Sequence, residues 1–301
     1  LCKSFFWCSL VLFFKQMTVY EMVMCLEFIR VLFRSMHRGE AIYLVINADD
    51  LGMSHSINLG ILDAFVQGIV TQSSIMAPTP AFADGAALAR EYNIPICGHL
   101  TLAADWDRVR WAPLTKAREL SGVDGMLPMH PRELIGRADP KVVEAEFIAQ
   151  IEAIQNCGLT LVHLDHHMEM VFEDVATALC ERYSLCCRDW LTDRADLSLG
   201  FDSLLNLSPI PADQKEETLI EYLNVIGPGA HLIVCHPARD GADLDGLCSP
   251  ALPGRRLWAY EHRLSDLSVL TSEPVKQAIA NAGIQLVTTT ELQKRHFKRL
   301  A

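Results

Sequence analysis

The feature that most constrains the fold is a nearly continuous apolar segment that ends in two adjacent carboxylates. Residues 42–46 have the sequence IYLVI, and Asp49 and Asp50 follow shortly after them. An apolar run of this length is typical of a strand buried on both faces, as in a parallel sheet. Active sites of such proteins lie at the carboxyl ends of the strands. Two like charges there are costly unless a cation or a proton compensates them, so the pair is a candidate site for a metal and a base.

Strand-like and helix-like segments alternate along the chain after Met36. The further strand-like runs are at residues 69–76, 94–100, 159–164, 231–235 and 284–288. This alternation predicts a parallel sheet, either open or closed into a barrel. Residues 101–140 are rich in proline and glycine and predict a long loop insertion over the site. We therefore predict a single-domain α/β fold that is (β/α) TIM-barrel-like, with an incomplete barrel as the alternative.

The first 35 residues do not match the rest of the chain. The apolar stretch after Lys3 is about ten residues long, whereas a membrane span needs about 20. We expect residues 1–35 to be a non-native N-terminal extension and residues 36–301 to form the functional domain. The start of the native protein is then expected at Met36.

Composition and net charge argue against several classes of partner. The chain has 301 residues and a net charge of −11, which disfavours binding to nucleic-acid phosphates. Its ten cysteines are scattered without a CxxC motif, which is typical of reduced thiols in a cytosol. We therefore predict a cytoplasmic protein that binds neither nucleic acid nor membranes, and a homodimer is left open.

Three other strand-like runs end in histidine, at His99, at the HLDHH segment 163–167 and at His236. Since the carboxyl ends of parallel strands lie on one face, these groups are expected to converge on the aspartate pair. One carboxylate and two histidines leave coordination positions open for water and substrate, as hydrolytic metal sites require. A second carboxylate could act as general base and a further histidine as general acid. The residues alone predict a metal-dependent hydrolase.

Four motifs in this order resemble the YdjC-like carbohydrate deacetylases, the ChbG/HpnK group. They are INADDLGMSHSINLGI from residue 46, GHLTL from residue 98, HLDHH from residue 163 (preceded by EFIAQIEAIQNCG) and VCHPA from residue 234. The resemblance implies a (β/α) barrel-like fold and removal of N-acetyl groups from amino sugars such as chitooligosaccharides. An N-acetylated sugar is then the expected substrate.

The resemblance also implies roles for individual residues. Asp50, His99 and His167 correspond to ligands of one divalent metal ion, and Asp49 corresponds to the general base. His236 corresponds to a general acid or an oxyanion partner. The resemblance favours Mg²⁺, whereas two histidines and one carboxylate suit Zn²⁺ on ligand softness.

Neighbouring residues of the HLDHH segment are further candidates. The family usually has serine where His166 stands, so His166 competes with His167 for the metal. If the strand continues, His163 and Asp165 share a face with His167, and His166 points the other way. We expect Asp165 to orient a ligand and His163 to be structural or to support Asp165.

Three residues elsewhere are candidate site residues, each of which could instead have a purely structural role. Arg110 and Trp111, in the long loop, either pack within it or contact a sugar. Arg263 on a predicted helix is by default solvated or paired with a carboxylate, and is a weaker candidate for the site.

Two alternative functions remain open at this point. One is a metal-dependent hydrolase of a phosphoester or another amide, and the other is a non-catalytic sugar-binding barrel.

Overall fold

The computed structural model describes residues 41–188, 196–249, 254 and 257–300. The predicted extension, residues 1–35, lies outside the described residues. The strands are β1 (Ile42–Leu51), β2 (Gln72–Ile75), β3 (Ile96–Leu100), β4 (Leu161–His166), β5 (Ser203–Asn206), β6 (Gly229–Cys235) and β7 (Gln285–Leu286). The helices are α1 (His55–Val66), α2 (Phe82–Tyr92), α3 (Pro140–Asn156), α4 (Glu173–Tyr183), α5 (Lys215–Val225), α6 (Ala242–Asp245), α7 (His262–Thr271), α8 (Glu273–Ala282) and α9 (Thr289–Leu300).

The strands form one sheet in the order β4-β3-β2-β1-β6-β5, and β7 also pairs with β1. Every strand pairing is parallel. Beyond β4, Cys187 forms isolated parallel bridges to Leu164 and to Ser198, so parallel backbone pairing continues past this edge strand of the sheet. The predicted α/β, barrel-like fold is confirmed.

The central strand β1 is buried on both faces, from Leu44 to its end at Leu51, as its apolar run predicts. Helix α1 begins where the Ser54 hydroxyl accepts a hydrogen bond from the amide of Ile57, which satisfies one of the amide groups left free at a helix start. Gly60 of α1 lies against the backbone of Ala238, where a Cβ would come within 2.2 Å of the Ala238 Cα. This close approach holds α1 against the segment that follows β6.

The predicted loop insertion is confirmed between β3 and α3. Among the described residues it contains two short 3₁₀ turns, Arg118–Leu120 and Pro131–Leu134. The loop is nevertheless packed, because Trp106, Trp111 and Leu127 are buried in the main core. No helix in the described ranges combines the length and the apolar character that crossing a bilayer requires.

Candidate active site

The end of β1 turns both aspartates toward the same place. In a regular strand, Asp49 and Asp50 would point to opposite faces of the sheet. A register shift between Ala48 and Leu51 inserts an extra residue relative to β2, and Asp50 has a left-handed φ of 75°. Bulges of this kind re-aim side chains near active sites. Consequently Nε2 of His99 lies 4.0 Å from Asp49 Oδ2 and 3.6 Å from Asp50 Oδ1.

The structure brings the three predicted metal ligands together. His167 Nδ1 lies 3.2 Å from Asp50 Oδ1, and one ligand atom each from Asp50, His99 and His167 lie within 4.8 Å of one another. Asp50 Oδ1 is buried and has no hydrogen-bond partner among the described residues. A buried carboxylate oxygen that faces two imidazole nitrogens is well placed to bind a cation. The donor set therefore fits a divalent metal ion.

Each of these histidines is held by a carboxylate on its other ring nitrogen. His99 Nδ1 lies 2.7 Å from Asp165 Oδ1, and His167 Nε2 lies 2.9 Å from Asp105 Oδ1. Such carboxylates fix the orientation of a ligating imidazole. Burial lowers the pKa of His99, but Asp165 and Asp49 outweigh it and raise the pKa to about 10. Likewise, Asp105 outweighs burial and raises the pKa of His167 to about 9.

Asp105 was not found from the sequence. It lies in the long loop outside any strand end or motif, so no local pattern distinguishes it. Only the packing of the loop against the strand ends brings it to His167.

Asp49 is held by Arg188, which the sequence analysis also missed. Nη1 and Nη2 of Arg188 lie 2.7 and 3.0 Å from the two oxygens of Asp49, and Nη1 also lies 2.8 Å from Asp165 Oδ2. Burial raises the pKa of Asp49, but Arg188 and then His99 outweigh it, so the pKa lies below its ordinary value. The available signal was at residues 185–188, a short apolar run followed by a polar side chain, as in the predicted strands.

Asp50 is paired with a different arginine. Nη2 of Arg263, on α7, donates to Asp50 Oδ2 at 2.6 Å. Burial raises the pKa of Asp50, but Arg263, followed by His167 and His99, holds it well below its ordinary value. Arg263 is buried and lines the same cavity, so of its two default states it is paired with a carboxylate and not solvated, and that carboxylate belongs to the candidate site.

Asp165 connects these groups. Besides His99 and Arg188, it accepts hydrogen bonds from the Ser74 hydroxyl and contacts His163 Nε2 at 3.1 Å. His163 is fully buried, and its Nδ1 lies 3.2 Å from the hydroxyl of Thr289. Asp165 thus contacts a candidate ligand and His163 contacts Asp165, and the orienting and supporting roles stay predictions. His166 is half-buried and lines the cavity, whereas His167 is the neighbour of Asp50.

His236 follows β6 and faces the cavity. Its Nδ1 lies 2.9 Å from the Ser208 hydroxyl, and its backbone N–H donates to Asp266 Oδ2 at 2.7 Å. Asp266 is also bonded to the buried ammonium of Lys215. Burial lowers the pKa of His236.

The structure places Arg110 and Trp111 inside the loop. Trp111 is buried, its indole N–H donates to the carbonyl of Ala103 at 2.8 Å, and its ring centre lies 6.3 Å from that of His167. Arg110 donates to the carbonyl of Leu127. Neither is among the described residues that line the cavity, so this geometry favours the packing alternative over sugar contact.

The site opens into a cavity of about 1330 Å³. Asp49, Asp50, His99, His167 and His236 all line it. Pockets for small ligands commonly measure about 300–1,000 Å³, so this cavity can hold a substrate larger than one sugar ring.

The chain is similar to one family profile and to several known proteins. Residues 43–281 match the profile of the family described as YdjC-like protein. A carbohydrate deacetylase from Geobacillus stearothermophilus is 30% identical over 262 residues, covering 84% of this chain and 98% of the relative. A carbohydrate deacetylase from Vibrio vulnificus is 29% identical over 273 residues, covering 83% and 96%. A solved structure from Enterococcus faecalis V583, provisionally assigned to cellobiose-phosphate cleavage, has 25% identity and a TM-score of 0.68, covering 84% and 99%.

Proposed function

The chain belongs to the YdjC-like protein family, and from that membership we propose that it is a carbohydrate deacetylase that removes N-acetyl groups from amino sugars with a divalent metal ion. The expected substrate is an N-acetylated sugar of the chitooligosaccharide type. The observation that carries the proposal is the unpartnered Asp50 Oδ1 facing two carboxylate-oriented imidazoles inside a large cavity.

Asp50, His99 and His167 would hold the ion through Oδ1, Nε2 and Nδ1, the atoms that face one another. When bound, a divalent ion polarises an amide carbonyl and acidifies water. Two imidazoles favour Zn²⁺ among the divalent ions, and the single carboxylate also accepts Mg²⁺.

Asp49 is the proposed general base. Because Arg188 keeps its pKa below the ordinary value, Asp49 is ionised at neutral pH and can accept a proton from the attacking water. The same carboxyl group can then give this proton to the departing amine as the C–N bond breaks. The products are acetate and the free amino sugar.

His236 fits the role of oxyanion partner better than that of general acid. Burial lowers its pKa, so the imidazole is neutral near pH 7. When the Ser208 hydroxyl donates to Nδ1, the ring proton is on Nε2 and is available to the developing oxyanion. A neutral imidazole that donates in this way stabilises negative charge without titrating.

The test is acetate release from N-acetylglucosamine and N,N′-diacetylchitobiose by the purified full chain. Wild-type protein should release acetate, and Asp49→Asn, which keeps the shape but cannot accept a proton, should not. A cellobiose phosphate is included because of the Enterococcus relative. Phosphate or glucose release without acetate release would refute the proposal and favour a hydrolase of another bond.

The metal is tested separately by calorimetric titration with Zn²⁺ and Mg²⁺. Asp50→Asn should weaken binding strongly, whereas Asp63→Asn, at a surface ion pair with Arg239, should leave it unchanged. Equal affinity in wild type and Asp50→Asn would remove the proposed metal site.

A further inference from the structure

An exposed tryptophan in the wall of the cavity has no part in the chemistry proposed above. Trp258 is 45% exposed and lines the cavity. Its indole packs against the imidazole of His262, with ring centres 4.8 Å apart and planes inclined by 33°. One face of the indole is thus supported, while much of the side chain stays in contact with solvent.

We propose that Trp258 is the stacking platform for a second sugar ring, the neighbour of the ring whose acetamide enters the catalytic centre. The inference rests on the proposed function and adds a binding subsite to it. Indole faces are large and apolar and pack well on flat apolar surfaces, and a pyranose ring offers such a surface through its C–H groups. Covering exposed indole area removes apolar surface from water, which favours binding.

The platform is tied rigidly to the catalytic centre. Trp258 lies in a π-helical turn, Leu257–Glu261, that leads directly into α7. Helix α7 carries Arg263, which is bonded to Asp50, and Asp266, which is bonded to the backbone of His236. Single π-turns are frequent at functional sites. The helix that positions the catalytic groups therefore also fixes the distance from them to the indole.

Other groups in the cavity wall suit a sugar better than a purely apolar ligand. Leu204 and Asn206 are two residues apart on β5, so they share a face, and both line the cavity together with Val234 of β6. An exposed leucine beside an exposed amide can meet the C–H face and the hydroxyl rim of one ring. The volume of about 1330 Å³ also exceeds what a single ring needs.

His262 supports the indole as a neutral ring. Burial lowers its pKa, and the ammonium of Lys215, which donates to the carbonyl of His262 at 2.9 Å, lowers it further. The other charged groups that act on this pKa are Asp266 of the same helix and Glu261 of the preceding turn, which raise it without outweighing burial and Lys215.

The test compares acetate release from N-acetylglucosamine and from N,N′-diacetylchitobiose by Trp258→Ala, Trp258→Phe and wild type. Trp258→Ala should raise KM for the disaccharide about tenfold and leave kcat/KM for the monosaccharide unchanged. Trp258→Phe should be intermediate, because a smaller aromatic face remains. The matched control is Leu257→Ala, a 41% exposed neighbour that does not line the cavity, and it should behave as wild type.

Equal losses on both sugars, or no loss on the disaccharide, would overturn the subsite. Calorimetric binding of the disaccharide to wild type and Trp258→Ala separates this failure from a failure of the proposed function. If no sugar yields acetate, the deacetylase proposal fails, and an affinity difference between these two proteins still supports the platform. If acetate is released but the affinities are equal, the platform alone fails.

Discussion

Replacing Arg188 by methionine should move the acid limb of the pH–rate profile to higher pH. The guanidinium makes two short contacts with Asp49 and one with Asp165, and the three side chains are 3%, 4% and 0% exposed. Burial is already the largest single influence on the pKa of Asp49 and raises it, so without the opposing guanidinium the pKa rises. A base with a raised pKa is protonated over more of the acidic range, so kcat/KM falls at a higher pH than in wild type.

The same substitution should lower stability. The folded-state pKa values of Asp49 and Asp165 are depressed, so their contribution is present above the unfolded-state pKa and is lost as pH falls through the folded-state pKa. Removing one partner of a buried ion pair costs about 3–5 kcal/mol, and here two carboxylates lose theirs. At about 2–4 °C per kcal/mol, a cost of about 5 kcal/mol lowers the melting temperature by about 10–20 °C.

The assay combines acetate release across the acidic and neutral range with thermal unfolding at neutral pH. The matched control is Arg182→Met, which removes a 57% exposed arginine 4.0 Å from Glu144 and should cost at most about 1 kcal/mol. Arg188→Lys restores the charge without the paired contacts and should fall between methionine and wild type. If Arg188→Met matched Arg182→Met in both measurements, the electrostatic account of Asp49 would be wrong.

Three further predictions concern neighbouring groups. Ser208→Ala should lower kcat about tenfold at unchanged KM, because it removes the hydrogen bond that orients His236; steady-state kinetics with both sugars measures this. The wild-type rate should hold as pH rises through the range in which histidine titrates, because burial keeps His236 neutral and a neutral ring already donates; a rate that falls there would indicate a general acid. Lys215→Met should cost about 3–5 kcal/mol in urea unfolding, because buried Asp266 loses its cation.

The parts of the fold and site that lie at strand ends were predictable from the sequence. Residues 42–46 predicted a buried parallel strand, and the structure confirms it in β1. Because parallel strands end on one face, Asp50, His99 and His236 could be expected to converge, and the structure brings all three to one cavity. Their roles in catalysis stay predictions.

The remaining parts depend on tertiary packing that leaves no local pattern. The sequence analysis placed Asp49 and Asp50 in one site but not the bulge and the left-handed φ of Asp50 that turn both toward His99. Arg188 follows an apolar run of only three residues, Asp105 comes from a loop without periodicity, and the partners of both are remote in sequence. Composition alone could not tell that the loop tryptophan Trp111 is buried.

The two adjacent aspartates are buried together because each is paired with a different arginine, and the two pairings differ. Arg188 occupies both oxygens of Asp49, so that carboxylate is ionised but has its oxygens engaged. Arg263 bonds only Oδ2 of Asp50 and leaves Oδ1 facing His99 and His167. An oxygen free of donors can ligate a metal ion, whereas a carboxylate held by two hydrogen bonds is fixed in orientation and meets a water molecule only through its remaining lone pairs. The hydrogen-bonding pattern thus supports the proposed division of roles independently of the family resemblance.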